Sequence, residues 1–496
     1  MSDQTFILPC SPSILRSDRF DFVSSEDPEV PFWRILSCIL AESLSSVTDS
    51  SSLIDTLETI SIVLHGEAAR NYVFLREFLD NYLTTSTPGS SKFFTSTWPR
   101  LVGLALELPS LFPSHSIPPL KSDETSQIIL SRRQAACLIV HQFLCSLPAQ
   151  PWQTESFVDL SPWYSAGEAM HQGAVQAYLT ALFTYFDAIA ASEPEGGILH
   201  HSVEDWPIIL TLIVMPDDQS RFLLSNAPAP LSRLAVVQLP NQSTDVSSLG
   251  LPDGACVISA NKSVGFGATG TQEELHVGIS PEAYLVTLIA PPLKDNQVLT
   301  CQGAEAMVTT KGHGRWASLD EILHGRPIPS SANWRNRVML FMDALELDLV
   351  DSAHPHGGES IPDLIPGCLH RELVKAYTAF SSHRCGNTRK PYSFVTTGLW
   401  GCGAFGGNRQ VKAIIQWCAA SMANVPELRY VLAGAEQKGF GDELRRFVDL
   451  VGEHTWGELE PPEIFDMLVR LGKEIQNGKS AVPKPDGIFE YVLESL

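Results

Sequence analysis

The hydrophobic pattern of the chain changes near residue 195, and this change limits the folds that the chain can adopt. Before it, apolar residues recur at helical spacing, most clearly over 132–147 and 174–191. After it come short β-branched apolar runs, each bounded by Pro, Gly, Asn or Asp, at 208–214, 234–239, 256–259 and 284–290. Such runs are typical of buried strands. The pattern predicts a helical region followed by a sheet.

Helical spacing returns between the later strands, which predicts a layered α/β domain. The further elements that we predict are helices over 335–347, 365–380 and 410–423, strands around 395 and 429–432, and helices again in the last 50 residues. We place a domain boundary in the segment SEPEGG, giving a mainly helical accessory domain over 1–195 and an α/β domain with C-terminal helices over 196–496. Ser- and Pro-rich segments predict surface loops at 42–53, 84–92 and 112–119.

The charge balance excludes several classes of partner. The chain has 34 Lys and Arg against 56 Asp and Glu, a formal net charge of −22. Proteins that coat nucleic acids or adhere to anionic membranes carry a basic excess instead. The apolar runs are shorter than the ~20 residues of a membrane span, and the N-terminus lacks the features of a secretory signal. We expect no direct DNA or RNA binding, no membrane association and a nuclear or cytoplasmic location.

The cysteines do not predict a metal site. The ten cysteines are scattered, with no CxxC pair. A zinc site would need His354, His356, Cys368 or Cys385 to converge, and their spacing matches no common zinc site. Scattered cysteines of an intracellular protein are usually reduced and buried. We therefore expect neither a metal nor a disulfide framework.

The most unusual stretch is CVISANKSVGFGATGTQEELHVG at 256–278, a predicted strand followed by a Gly-rich loop and an acidic pair. The loop glycines are Gly265, Gly267 and Gly270. Glycines let backbone amides approach a ligand closely, as binding of a diphosphate requires. Glu273 and Glu274 follow, where a carboxyl could act on a bond near the bound phosphates. The alternative is a simple turn whose two glutamates only cap the helix that follows.

A second Gly-rich stretch, TTGLWGCGAFGG at 396–407, lies between a predicted strand and a predicted helix. A loop that leads into a helix N-terminus is an arrangement that binds anions. The alternative is a tight turn with Trp400 and Phe405 buried in the core. The chain has no Walker A motif and no GxSxG motif. From the residues alone, the two loops predict a site for a nucleotide diphosphate, with hydrolysis by carboxylates as one option.

At these residues the chain resembles the eukaryotic poly(ADP-ribose) glycohydrolases. That family carries a Gly-Gly-Gly loop followed by Gln-Glu-Glu, and here Gly265-Phe266-Gly267 precedes Gln272-Glu273-Glu274. Its second motif, Gly-Asn-Trp-Gly-Cys-Gly-Ala-Phe-Gly-Gly, is present at 398–407 with one change. The remaining similar segments are Phe93-Phe94, 104–109, Asp343-Ala344-Leu345, Arg371-Glu372-Leu373 and Lys375-Ala376-Tyr377. The resemblance spans roughly residues 90–470.

The resemblance implies a macrodomain-like α/β fold with a mixed sheet, joined to a helical N-terminal domain. The implied reaction is hydrolysis of the ribose–ribose O-glycosidic bond of poly(ADP-ribose), which releases ADP-ribose without a cofactor. Glu274 would be the general acid, with a pKa raised by burial and by Glu273. Glu273 would position ribose hydroxyls and carry negative charge beside the transition state. The implied partners are the polymer and ADP-ribosylated proteins, and we expect a monomer.

The resemblance also implies a set of substrate-binding residues. They are Asn261, Gly265, Phe266, Gly267, Gln272, His313, Leu399, Trp400, Gly401, Cys402, Gly403, Ala404 and Phe405. Backbone amides of the two loops would hold the diphosphate, and His313 stands near the position of the family's adenine-stacking tyrosine.

The chain departs from the family pattern at several site positions. Ile258 stands where the family has an aspartate, Phe266 replaces the middle glycine, and Leu399 replaces an asparagine. The loop from Gly267 to Gln272 is also about three residues shorter than in animal relatives. These changes leave two alternatives to an active enzyme. One is a catalytically weakened module that binds ADP-ribose or its polymer, and the other is a helical scaffold with an inert α/β domain.

Overall fold

A computed structural model describes most of the chain. The residues described are 5–23, 27–66, 71–84, 92–150, 158–165, 171–191, 199, 206–216, 229–240, 248–265, 267–324, 333–348, 361–385, 390–455, 459–477, 484 and 486–496. They form a mixed β-sheet covered by helices on both faces, which is the α/β class that the alternation of strand and helix patterns predicted.

The strands and helices are numbered in chain order. The strands are β1 (Phe6–Ile7), β2 (Leu15–Arg16), β3 (Val30–Pro31), β4 (Ser116–Ile117), β5 (Ser126–Leu130), β6 (Ile208–Val214), β7 (Arg233–Leu239), β8 (Ala255–Ala260), β9 (Gln297–Gln302), β10 (Val308–Lys311), β11 (Ser318–Ile322), β12 (Val338–Asp343), β13 (Val395–Thr397) and β14 (Glu427–Ala433). The helices are α1 (Phe32–Ser46), α2 (Ser50–His65), α3 (Val73–Thr84), α4 (Trp98–Leu106), α5 (Leu108–Leu111), α6 (Arg132–Phe143), α7 (Gln172–Ala191), α8 (Gln272–Gly278), α9 (Val286–Ile289), α10 (Pro366–Phe380), α11 (Arg409–Met422), α12 (Lys438–Thr455), α13 (Pro461–Gln476) and α14 (Ile488–Ser495). A π-helical turn, Phe93–Thr97, precedes α4.

The main sheet has eight strands in the order β5-β6-β9-β12-β8-β13-β14-β7. The five strands from β12 to β7 run parallel, and β5, β6 and β9 pair antiparallel at the other edge. The edge strand β5 comes from the first 195 residues, so the helical region contributes a strand to this sheet. The domain boundary at 195 remains a prediction.

Two cores lie on opposite faces of the sheet. Alternate residues of β12 enter each, with Met339 and Phe341 in the core that the helical region covers. Leu340 and Met342 enter the core beneath α10 to α14. Helix α7 is long and apolar enough to cross a membrane, by length and composition alone. In this structure 72% of its apolar stretch is buried, in the first core. Its apolar residues therefore pack within the protein.

The structure corrects three predicted segments. Residues 335–347, predicted as a helix, contain the strand β12. The prediction failed because a strand buried on both faces is apolar without the alternation that identifies a half-exposed strand. Residues 284–290, predicted as a strand, form a 3₁₀ turn and the short helix α9, with Pro281 at the start of the turn. Most of the loop predicted at 42–53 is helical, since α1 and α2 are separated by only three residues and Asp49 caps α2.

Candidate active site

Loops after three neighbouring parallel strands meet at one edge of the sheet. β8 pairs with β12 on one side and with β13 on the other, in parallel register. The segments that follow these strands are 261–271, 344–348 and 398–408. Ligands of open α/β sheets bind outside the carboxyl ends of the strands, and both predicted Gly-rich loops lie at that edge.

Glu273 is buried beneath the first loop, with 8% of its surface exposed. One of its carboxyl oxygens accepts a hydrogen bond from the backbone amide of Asn261 (2.9 Å), and the other accepts one from Gly265 (3.1 Å). Burial raises the pKa of Glu273 to about 8, opposed by these two hydrogen bonds and reinforced by the nearby charge of Glu274. This pKa favours the protonated carboxyl at neutral pH; the predicted role of Glu273, to position ribose hydroxyls and carry negative charge beside the transition state, stays a prediction.

Glu274 is half-buried and lies at the start of α8. Its carboxylate accepts hydrogen bonds from the backbone amide of Thr269 (2.7 Å), the hydroxyl of Thr269 (2.9 Å) and the amide of Thr271 (3.2 Å). The hydroxyl of Thr271 accepts the Glu274 amide in return, so the capping alternative is confirmed as a structural role. The more deeply buried carboxyl of the pair is that of Glu273. A threonine hydroxyl both donates and accepts, so Thr269 can contact Glu274 in either protonation state.

Gly267 lies directly against the Glu274 carboxyl. A Cβ at this position would come within 2.9 Å of the Glu274 Cδ and still closer to Oε1, so the site has no room for a side chain here. The Gly267 carbonyl accepts a hydrogen bond from the indole of Trp163 (2.8 Å), a fully buried residue of the helical region. Sequence reasoning missed Trp163, because 104 positions separate it from the loop and no local pattern links them.

Two other predicted residues of the first loop have different environments. Asn261 is exposed, and its side-chain oxygen accepts only the Ser263 amide (3.0 Å) in the described part of the chain, so its amide group faces solvent. Gln272 is bound to β8, where its oxygen accepts from Ser259 (2.7 Å) and its nitrogen donates to Val257 (2.9 Å). Gln272 therefore holds α8 against the strand. Phe266 lies outside the described residues.

A turn between β10 and β11 packs against the first loop. The amide of Gly314 donates to the carbonyl of Gly270 (2.8 Å), and both residues have positive φ. His313 is exposed at this turn. Partial desolvation lowers the pKa of His313, opposed by the charge of Glu274. The imidazole is therefore neutral at pH 7 and presents a ring beside the acidic pair.

The second loop exposes its tip and buries its base. Gly403 and Ala404 are exposed, and no backbone amide from 403 to 405 donates a hydrogen bond to another described residue. Amides open in this way can bind an anion. The residues of intermediate exposure in the loop are Leu399, Cys402 and Phe405. Gly401 and Trp400 are buried, and the Trp400 indole donates to the carbonyl of Met342 (3.0 Å). The Trp400 side chain thus supports the loop from below, as the core alternative predicted.

A buried cation supports this loop. The Lys412 ammonium lies 4.8 Å from the centroid of the Trp400 ring, forms an ion pair with Glu372 and lies 3.7 Å from Asp363. A Cβ on Gly407 would meet the Lys412 side chain at 2.7 Å. The Asp363 carboxylate in turn accepts a hydrogen bond from the backbone amide of Asn408 (2.8 Å). Asn408 is the N-cap residue of α11. The loop is therefore fixed from below by charged groups that are almost completely buried.

The ion network continues to the end of β12. Asp343 pairs with Lys375 (2.6 Å) and with Arg371, and Arg371 also bonds Glu372 (2.6 Å). The segments that resemble the family at 343–345, 371–373 and 375–377 thus converge below the site rather than on its surface. Ile258 of β8 is fully buried in the core on the other face, so the position of the family's aspartate is apolar here.

The structure brings no metal-binding cluster together in the parts of the chain that it describes. His354 and His356 lie outside those parts. The cysteines described in the structure are free.

Comparison with known proteins identifies two matching family models. Residues 85–202 match "Poly (ADP-ribose) glycohydrolase (PARG), helical domain", and residues 242–439 match "Poly (ADP-ribose) glycohydrolase (PARG), Macro domain fold". Poly(ADP-ribose) glycohydrolase 1 of Arabidopsis thaliana is 22% identical over an alignment that covers 100% of this chain and 97% of the relative.

Two further similarities involve shorter parts of the chain. Probable poly(ADP-ribose) glycohydrolase 2 of Arabidopsis thaliana is 22% identical, covering 82% of this chain and 83% of the relative. The crystal structure of poly(ADP-ribose) glycohydrolase from Thermomonospora curvata is 12% identical, with a TM-score of 0.30, covering 45% of this chain and 80% of that one.

Proposed function

Because the chain belongs to the poly(ADP-ribose) glycohydrolase family, we propose that it hydrolyses the ribose–ribose O-glycosidic bonds of poly(ADP-ribose) with Glu274 as general acid and base. The observation that carries the proposal is the position of Glu274. Its half-exposed carboxyl lies at the same sheet edge as the open amides of 403–405. A catalytic carboxyl beside an anion site is what cleavage next to a diphosphate requires.

The proposed reaction breaks the bond between the anomeric carbon of one ribose and the oxygen of the next. Glu274 gives its proton to the departing oxygen while positive charge develops on the anomeric carbon. A water molecule then adds to that carbon, and its proton returns to Glu274. The Thr269 hydroxyl supports this exchange, because it can accept a hydrogen bond from the acid or donate one to the carboxylate.

Glu273 has a different part in this proposal. Its oxygens hold the amides of Asn261 and Gly265, so it fixes the loop on which the substrate ribose rests. With its pKa near 8, it adds little negative charge beside Glu274 at neutral pH. Glu274 therefore supplies the charge that stabilises the cationic transition state once its proton has left.

Substrate binding follows from the two loops. The exposed amides of 403–405 would hold the diphosphate, the Asn261 side chain would contact ribose, and the neutral ring of His313 would stack on adenine. Because Gln272 bonds the backbone of β8 and the Trp400 indole bonds the Met342 carbonyl, a positioning role is proposed for these two residues instead. The proposed partners are the polymer and proteins that carry it.

The test is release of ADP-ribose from protein-bound polymer, followed by chromatography with identification of the product. Wild-type protein should release ADP-ribose, and Glu274→Ala should lose the activity and stay folded, with a melting temperature lowered by the loss of the hydrogen bonds to Thr269 and Thr271. Undiminished release by the variant would refute the assignment of Glu274.

A catalytically weakened binding module remains the second candidate, and a specific observation favours it. Three donors already occupy the Glu274 carboxylate, and the family's aspartate is replaced by the buried Ile258. This candidate predicts that ADP-ribose binds in calorimetry while polymer is not consumed. Turnover at ordinary enzymatic rates would exclude it.

A further inference from the structure

Trp316 is the most exposed large hydrophobic side chain in the described part of the chain. Its exposed fraction is 73%, whereas the other large exposed hydrophobic side chains lie between 39% and 51%. A single exposed side chain needs no partner by itself, so the position of this indole and the groups beside it decide whether it has a role in binding.

The indole stands at the rim of the candidate active site. It ends the helical turn Gly314–Trp316, whose first residue donates its amide to the carbonyl of Gly270 (2.8 Å). The next residue, Ala317, also lies close to the loop. A Cβ added to Gly270 would come within 3.1 Å of the Ala317 methyl group. Contacts on both sides therefore fix the Trp316 backbone against the loop that leads into α8 and Glu274.

A cation stands directly beside this indole, although the protein as a whole is strongly acidic. The Arg315 guanidinium lies 5.3 Å from the centroid of the Trp316 ring, at cation–π distance. Lys311 precedes the ring by five positions, and Asp320 and Glu321 follow it on β11. An exposed aromatic ring beside cations is a surface that binds bases and phosphates of a flexible polyanion.

We propose that Arg315 and Trp316 form a second binding site, which holds an ADP-ribose unit next to the terminal one. The adenine would stack on Trp316, and its diphosphate would face Arg315 and Lys311. The terminal unit has one adenine, and the proposed function assigns it to His313. A second exposed ring in the same turn therefore has a base available only on the adjoining unit. This inference rests on the proposed function, since it deepens the substrate preference of that site.

The experiment compares wild type, Trp316→Ala and a matched control, Phe20→Ala. Phe20 is an exposed aromatic (45%) in the N-terminal segment. Affinity for monomeric ADP-ribose is measured by calorimetry. Affinity for polymer of defined length is measured by filter retention at low temperature, and KM is measured for ADP-ribose release. Loss of one base stack should weaken polymer binding and raise KM by about tenfold in Trp316→Ala. Affinity for the monomer should stay within roughly twofold of wild type, and Phe20→Ala should match wild type throughout.

Two results would overturn the second site. Equal weakening for monomer and polymer would assign Trp316 to the terminal unit, and unchanged polymer affinity would leave Trp316 with no role in binding. Arg315→Gln gives an independent check, because the affinity that it loses should shrink as salt is raised. An effect of Arg315→Gln that salt does not change would also contradict the proposal. Polymer that binds to wild type without turnover would refute the proposed function but leave this test of the second site intact.

Discussion

Replacing Gly267 by alanine should inactivate the protein without unfolding it. The new Cβ would lie 2.9 Å from the Cδ of Glu274 and closer to Oε1, so the carboxyl must move by about 1 Å to restore van der Waals separation. That movement stretches the hydrogen bonds that the carboxylate accepts from the amides of Thr269 (2.7 Å) and Thr271 (3.2 Å). A displacement of ~1 Å at a reacting group costs on the order of 100-fold in rate. We therefore expect kcat for ADP-ribose release to fall by about 100-fold.

The matched control is Gly103→Ala in α4, where a Cβ meets nothing within 4 Å. This substitution should leave activity unchanged and stabilise the helix by up to about 1 kcal/mol. Melting temperature and far-ultraviolet circular dichroism of both variants establish that each is folded. A folded Gly267→Ala protein with wild-type kcat would refute the reasoning, because Glu274 could then not depend on the position that the loop gives it.

Three further predictions concern the supports of the site. Gly403→Ala should leave the melting temperature unchanged, since its Cβ meets nothing within 4 Å, and should weaken ADP-ribose binding in calorimetry by about tenfold if the diphosphate lies on this loop; wild-type affinity would contradict the loop assignment. Glu273 has a pKa near 8 in the folded protein against 4.5 as its ordinary value, so the folded state holds the extra proton and stability falls as pH rises from about 4.5 to 8. Denaturant titrations should show that the free energy of unfolding of Glu273→Gln depends less steeply on pH than that of wild type between pH 4.5 and 8, by up to about 1.4 kcal/mol per pH unit. Equal slopes for the two proteins would refute the burial argument. Lys412→Met should lower the free energy of unfolding by about 3–5 kcal/mol, since it removes the buried cation shared by Glu372 and Asp363 and leaves Glu372 paired with Arg371 alone. The control Arg409→Met, with an exposed pair at 3.9 Å, should cost less than about 1 kcal/mol, and equal losses would show that the buried pair has no special weight.

Much of the fold could be predicted from hydrophobic spacing. The pattern at 174–191 predicted α7, and the runs at 208–214 and 256–259 predicted β6 and most of β8. The failures at 284–290 and 335–347 have one physical cause: short apolar runs do not distinguish a buried strand from a buried helix. β12 places alternate residues in two different cores, so residues 338–342 are all apolar and the run lacks the alternation that marks a half-exposed strand.

The site was predictable only where its chemistry is local. The order of glycines and glutamates predicted the two loops, and the structure brings both to one sheet edge. The difference between Glu273 and Glu274 depends on which carboxyl turns inward, and adjacent positions in a sequence do not reveal this. The support from Trp163 depends on packing between segments 104 positions apart. The similarity to the family could not assign Gln272 and Trp400 to positioning, because that depends on their contacts in this structure.

The most direct test of the central claim is the single-turnover rate of ADP-ribose release from polymer by Glu274→Gln. Calorimetry with ADP-ribose on the same preparations serves as the control for an intact site. The side chains are nearly the same size, but the amide cannot give a proton to the departing oxygen or take one from water. We predict that Glu274→Gln binds ADP-ribose within a few-fold of wild type and releases it from polymer about 10²–10⁴-fold more slowly. Release at the wild-type rate would contradict the account.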